Sequence, residues 1–143
     1  MAKTNTAKLT WKGEHLHFHS QLSSGYEFDM SGQSSVENGG SPMEFLLAGV
    51  VGCTAMDLVH VLRKKRQNIS EIELEISGER ADEIPAVYTE VDILYIVRGQ
   101  NISANAVEQA IELSQTKYCS ASIMFKNAGV EVRTDYRIEE VAA

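Results

Sequence analysis

Two cysteines, Cys53 and Cys119, are the side chains in this 143-residue sequence with the widest chemical range. Each sits in a setting that bears on its acidity. Cys53 lies in the most apolar stretch, GGSPMEFLLAGVVGCTAMDLVHVLRKKR, from Gly39 to Arg66. At about 100° per residue it shares a helical stripe with Leu46, Gly49, Met56, Asp57 and His60. A carboxylate one turn on, at Asp57, disfavours its thiolate. Cys119 occurs in KYCSAS, just ahead of a helix start. Backbone N–H groups and the positive dipole end favour a thiolate there, and Lys117 adds a nearby cation. Local physics therefore makes Cys119 the more acidic of the two. They can be two unrelated small core residues, since free Cys is among the most buried types, or they can be a redox pair. There is no C-x-x-C motif, and two cysteines make no disulfide scaffold.

A second constellation is HLHFH, which places His15, His17 and His19 at spacing two. On a strand all three would share one face, neighbours roughly 6.6 Å apart. Two could chelate a metal, but a structural zinc site wants four ligands, so a solvent-facing stripe is expected and no metal or other cofactor is assigned. The glycines of GVVGCTAM do not form G-x-G-x-x-G, which argues against a dinucleotide loop.

These residues need elements to hold them. AKLTWKGEHLHFHS and SGYEFDMSG alternate and read as strands, with Leu9, Trp11, Leu16 and Phe18 as inward anchors. QSSVENGGS reads as a polar loop. Ser41-Pro42-Met43-Glu44 has the form of a capping box with proline at the first helical position. The helix it opens runs to about Arg66, a span of roughly 37 Å. Its uncharged part, Phe45 to Met56, is too short for a bilayer, so a central helix buried on most sides is expected. Gly49 and Gly52 suggest close approach of another backbone, and a chain this short points to a second subunit for it. ISEIELEISGER and AVYTEVDILYIVRG are two strands joined by a hairpin over Gly78–Pro85. SANAVEQAIELSQTKY is an amphipathic helix capped by Ser103, with Ala106, Val107, Ala110 and Leu113 inward. CSASIMFKN is a short helix, and GVEVRTDYRIE a last strand. Strands adjoin strands, so the class is α+β, in one domain over residues 1–143.

Charge narrows the function classes. The formal net charge is -7, which argues against a nucleic-acid or anionic-membrane binder. RKKR at Arg63 to Arg66 is best placed as the cationic end of a helix. The opening segment lacks an apolar run, so no secretory signal is expected, and free thiols fit a reducing cytoplasm.

The block SPMEFLLAGVVGCTAMDLVHVLRKKR, followed by YCSAS, resembles the OsmC/Ohr family of osmotically inducible and organic hydroperoxide resistance proteins, over nearly the whole chain. The SPME start is similar to the OsmC-like branch rather than to the Ohr enzymes. The resemblance implies antiparallel sheets around a long central helix, an intertwined homodimer with packed central helices, and antioxidant activity as a thiol peroxidase. It implies Cys53 as the thiol attacking an organic hydroperoxide, Cys119 as the resolving thiol, an external dithiol as reductant, and no metal or flavin. Active members of the family activate the first thiol with an N-terminal arginine paired to a glutamate. This chain has no Arg before Arg63, and Lys12 lacks the planar fork of a guanidinium. Anchored on Pro42, the family's glutamate falls on Met43. Glu44, one residue later, is kept as a site candidate beside its capping role. Arg63, Arg98 and Arg133 are the alternative activators. A second functional class is a non-catalytic dimer binding an apolar ligand between central helices lined by Leu46, Val50 and Met56.

Overall fold

The computed structural model describes residues 3–32 and 39–142, so most of the expected polar loop lies outside the described residues. Among the described residues the fold is α+β, with two three-stranded sheets and three α-helices. Two compact units compose it, Met1–Leu46 and Leu47–Ala143.

The first unit is a meander of β1 (Ala7–Trp11), β2 (His17–Leu22) and β3 (Glu27–Ser31), all antiparallel. The register pairs Leu9 with Ser20, Trp11 with Phe18, and Phe18 with Met30, which puts the apolar residues on one face. Leu9, Trp11 and Leu16 were expected to point inward, yet they are 49, 58 and 54% exposed. Alternation correctly sorts the two faces of a strand, but it does not say whether the same chain covers the apolar one. The aromatic contacts of this unit lie instead at β3, where Phe28 stacks near Tyr26 and tilts against Phe45 with ring centroids 4.9 Å apart. The chain then returns beside β3. Gly39, at φ +89°, lies so close to the Asp29 carbonyl that a Cβ would collide with it.

Helix α1 (Pro42–Lys64) opens with the expected capping box. Glu44 Oε1 accepts from Ser41 N–H at 2.9 Å, and Glu44 N–H donates back to Ser41 Oγ. The helix closes in a Schellman arrangement: Gln67 N–H reaches Leu62 O and Arg66 N–H reaches Arg63 O. Arg66 takes the left-handed position usually left to glycine, at φ +58°. By length and composition α1 could cross a membrane, and 28% of its most apolar window is buried in the single chain. Its buried side chains are Val50, Thr54, Leu58, Val61 and Leu62.

In the second unit β4 (Asn68–Arg80) and β5 (Tyr88–Gln100) form the long hairpin. Pairing continues past the expected turn, through Gly78↔Val91 to Arg80↔Tyr88. Gly78 permits this because the Tyr88 ring lies where a Cβ would be, 2.7 Å away. The crossover that follows contains α2 (Ala104–Leu113), one π-helical turn (Ser114–Tyr118) and α3 (Ser120–Asn127), and ends in β6 (Glu131–Glu140). β6 pairs with β5 in parallel, so this sheet is mixed where antiparallel pairing was expected. A helical crossover is what allows a parallel neighbour. β5 is the central strand, and Val91, Ile93, Tyr95, Ile96 and Val97 are buried with Leu58 and Leu62 of α1 and Val107 and Ala110 of α2.

Candidate functional site

The two thiols lie within the second unit. Cys53 is half-buried on α1, and Cys119 is fully buried at the start of α3. The π turn sets the second position. Its wider ring closes with Cys119 N–H donating to Ser114 O at 2.7 Å, and Lys126 Nζ ties down the Gln115 carbonyl at 2.8 Å. This delivers Cys119 as the N-cap of α3, with its Sγ accepting from Ser122 N–H. The sulfurs of Cys53 and Cys119 and a carboxylate oxygen of Asp57 all lie within 4.8 Å of one another.

A polar chain surrounds Cys119. Thr54 Oγ1, fully buried, is 3.1 Å from Cys119 Sγ and 3.3 Å from Ser122 Oγ. Gln115 Nε2 donates to Ser122 Oγ and to Tyr95 Oη, while Gln115 Oε1 is buried without a partner. Burial opposes ionisation of Cys119. Donation from the Ser122 hydroxyl, the Thr54 hydroxyl, the Ser122 N–H and the Cys53 thiol outweighs it and holds this thiol below the ordinary cysteine value. Cys53 is shifted the other way. Burial pushes it up, its thiol is the donor to Cys119, and the Cys119 and Asp57 charges both disfavour a second anion; the Ala121 N–H only partly offsets this. The order of acidity read from the sequence is therefore the order in the fold. At the start of α3, the Ala121 N–H supplies Cys53 with a donor.

The other sequence candidates fall elsewhere. Glu44 has its carboxylate engaged by both the N–H and the hydroxyl of Ser41, which lower its pKa, so its visible role is the cap. Arg98 is held by Glu73, Glu139 and Glu71, and Arg133 by Asp92 and Glu90, so both guanidiniums are engaged on the sheet. Lys117 lies over the Tyr118 ring, 5.6 Å from its centroid. His15 leaves the expected stripe: it sits in the β1–β2 turn at φ +47°, its carbonyl accepting from Trp11 Nε1. His19 bonds Glu27 and Asp29, which raise its pKa, and His17 lies 3.2 Å from Asp29. Of the residues expected to line an apolar site between the central helices of two copies, Val50 is buried, and Leu46 and Met56 are exposed.

A 104-residue match decides the family: residues 32–135 fit the family described as OsmC-like protein. The chain belongs to the OsmC-like family. It is 36% identical to protein YhfA of Escherichia coli (strain K12) over 137 residues, covering 96% of this chain and 98% of that one. Its fold superposes on the crystal structure of a hypothetical protein from Aquifex aeolicus VF5 with a TM-score of 0.87 and 28% identity, covering 99% of this chain and all of that one. The organic hydroperoxide resistance protein of Elizabethkingia anophelis shares the fold at 14% identity and a TM-score of 0.68, over 97% of this chain and 99% of that one.

The residues of this OsmC-like site that sequence reasoning missed are Thr54, Ser114, Gln115 and Ser122. One signal was available: Thr54 is a polar residue inside the apolar run of α1, directly beside Cys53. A buried hydroxyl in such a run has to find a partner.

Proposed function

We propose that this chain is a thiol-dependent peroxidase that reduces organic hydroperoxides through a Cys53/Cys119 dithiol–disulfide cycle. The observation that carries this is the proximity of the two sulfurs, within 4.8 Å, with a half-buried thiol beside a fully buried one. The reachable thiol, Cys53, attacks. Because its S–H donates to the more acidic Cys119, its proton passes to Cys119 Sγ as the Cys53 sulfur meets the outer oxygen of the substrate. The O–O bond breaks, the alkoxide takes the proton held on Cys119 and leaves as alcohol, Cys119 is again a thiolate, and Cys53 becomes a sulfenic acid. Cys119 thiolate then attacks that sulfur and water departs, so two thiols and one hydroperoxide give a disulfide, an alcohol and water. An external dithiol restores the pair by exchange. In this reading Cys119 does part of the work that a cation does in other members of the family.

A homodimer belongs to the same proposal. Met56 is 75% exposed and Leu46 49%, and a Cβ on Gly49 or Gly52 would meet nothing within 4 Å. A second copy covering this face of α1 would bury it. A reducing compartment such as the cytoplasm would keep the pair ready. The decisive measurement is thiol loss in the reduced protein exposed to cumene hydroperoxide, followed with Cys53→Ser alongside. Rapid loss of two thiols per chain in the wild type, with little in the variant, is expected. Equal rates in both would refute the cycle.

A further inference from the structure

We infer that Cys53, Cys119 and Asp57 form a binding site for a single zinc ion when the thiols are reduced. The three ligand atoms already converge within 4.8 Å of one another. A tetrahedral zinc with two sulfurs and one oxygen needs these atoms about 3.5–3.8 Å apart, given bond lengths of about 2.3 Å to sulfur and about 2.0–2.2 Å to oxygen. Side-chain rotation supplies that contraction. Two soft thiolates with one carboxylate suit zinc better than magnesium or calcium, which prefer oxygen alone.

The surroundings are those of a ligand set rather than of three incidental neighbours. Asp57 Oδ2 accepts from the buried Ser114 hydroxyl at 3.0 Å, which fixes the carboxylate and leaves its other oxygen for the metal. Cys119 Sγ is oriented by Thr54 Oγ1 and Ser122 N–H. Asp57 also lines a cavity of about 530 Å³ with His60, Val61, Lys64, Lys65, Leu113 and Tyr118, so the carboxylate side of the cluster borders open space. Three protein ligands leave the fourth position to water, the pattern of an open rather than a closed zinc site. Binding holds both cysteines as thiolates, and any proton still on either sulfur goes to solvent. Zinc and disulfide are alternatives on the same sulfurs, so a bound ion would shield the pair from oxidation. The site needs the reduced pair but not peroxide turnover.

The test is anaerobic titration of the fully reduced chain with zinc against a chromophoric chelator, and with cobalt(II) as a spectroscopic probe. One zinc per chain is expected, at least 100-fold weaker in Cys53→Ser or Cys119→Ser and at least tenfold weaker in Asp57→Asn. Cobalt is expected to show thiolate charge-transfer bands and tetrahedral ligand-field bands in the wild type, a readout that does not depend on any variant folding. His19→Ala is expected to bind zinc as the wild type does. Equal zinc affinity in the wild type and the double cysteine variant, unchanged affinity in Asp57→Asn, or cobalt spectra without thiolate bands would each overturn the assignment. Because no peroxide is present, failure of peroxidase turnover leaves this result standing, and the reverse also holds.

Discussion

Thr54→Val isolates the hydrogen bond on which the acidity of Cys119 depends. Valine keeps the branched shape of threonine and removes one hydroxyl, which lies 3.1 Å from Cys119 Sγ in a site with no solvent to replace it. A hydrogen bond to a charged group contributes about 1.5–3 kcal/mol net, and sulfur is a weak acceptor, so the lower end applies: about 1.5 kcal/mol. That corresponds to a roughly tenfold fall in the ionisation constant of Cys119. The Ser122 hydroxyl and N–H remain to hold the rest. The assay is ultraviolet thiolate absorbance against pH in a Cys53→Ser background, which leaves one thiol to titrate. If Cys53 relies on Cys119 as its proton acceptor, Thr54→Val alone, with Cys53 intact, also slows peroxide-dependent thiol loss at neutral pH. An unchanged Cys119 titration would refute the reasoning, and a shifted titration with unchanged oxidation rate would refute the proton relay.

Asp57→Asn keeps an acceptor for Ser114 and removes a negative charge beside Cys53; the Cys53 pKa should fall, and iodoacetamide should alkylate it severalfold faster at neutral pH by mass spectrometry. Arg66→Gly relieves the left-handed backbone at the end of α1 and should stabilise the chain by up to about 1 kcal/mol in urea unfolding. The raised pKa of His19 contributes stability that is present below the ordinary imidazole range and lost as pH rises through its folded value. The lowered pKa of Asp29 contributes above the carboxylate range and is lost on acidification. Asp29→Asn should therefore lower the His19 pKa in an NMR titration.

The sequence made legible those features whose cause is local. The Ser41–Glu44 cap, the Ser103 cap of α2 and the helix-start position of Cys119 all follow from residues within three positions of one another. The acidity order of the thiols was readable only in part: the Ser122 N–H and the Asp57 charge act over a short range, whereas the burial of Cys53 and the Thr54 hydroxyl on Cys119 come from the tertiary fold. The parallel β5–β6 pairing was not, since a strand's alternation is the same whichever way its neighbour runs. Nor was the π turn: SQTKY carries the same helical propensity in either winding, and only the tertiary bonds from Ser114, Gln115 and Lys126 select the wider one. β1 shows the converse case: its alternation predicts inward Leu9 and Trp11, yet all five of its residues are exposed.

The crossover between β5 and β6 has a consequence for oxidation. The segment bearing Cys119 is stitched down at both ends by the ten-residue parallel ladder and clamped in the middle by Lys126. Bringing two sulfurs to about 2 Å therefore falls to torsions of the cysteines themselves, not to travel of a loop. If the pair closes the proposed disulfide, oxidised and reduced protein should have nearly superimposable backbones.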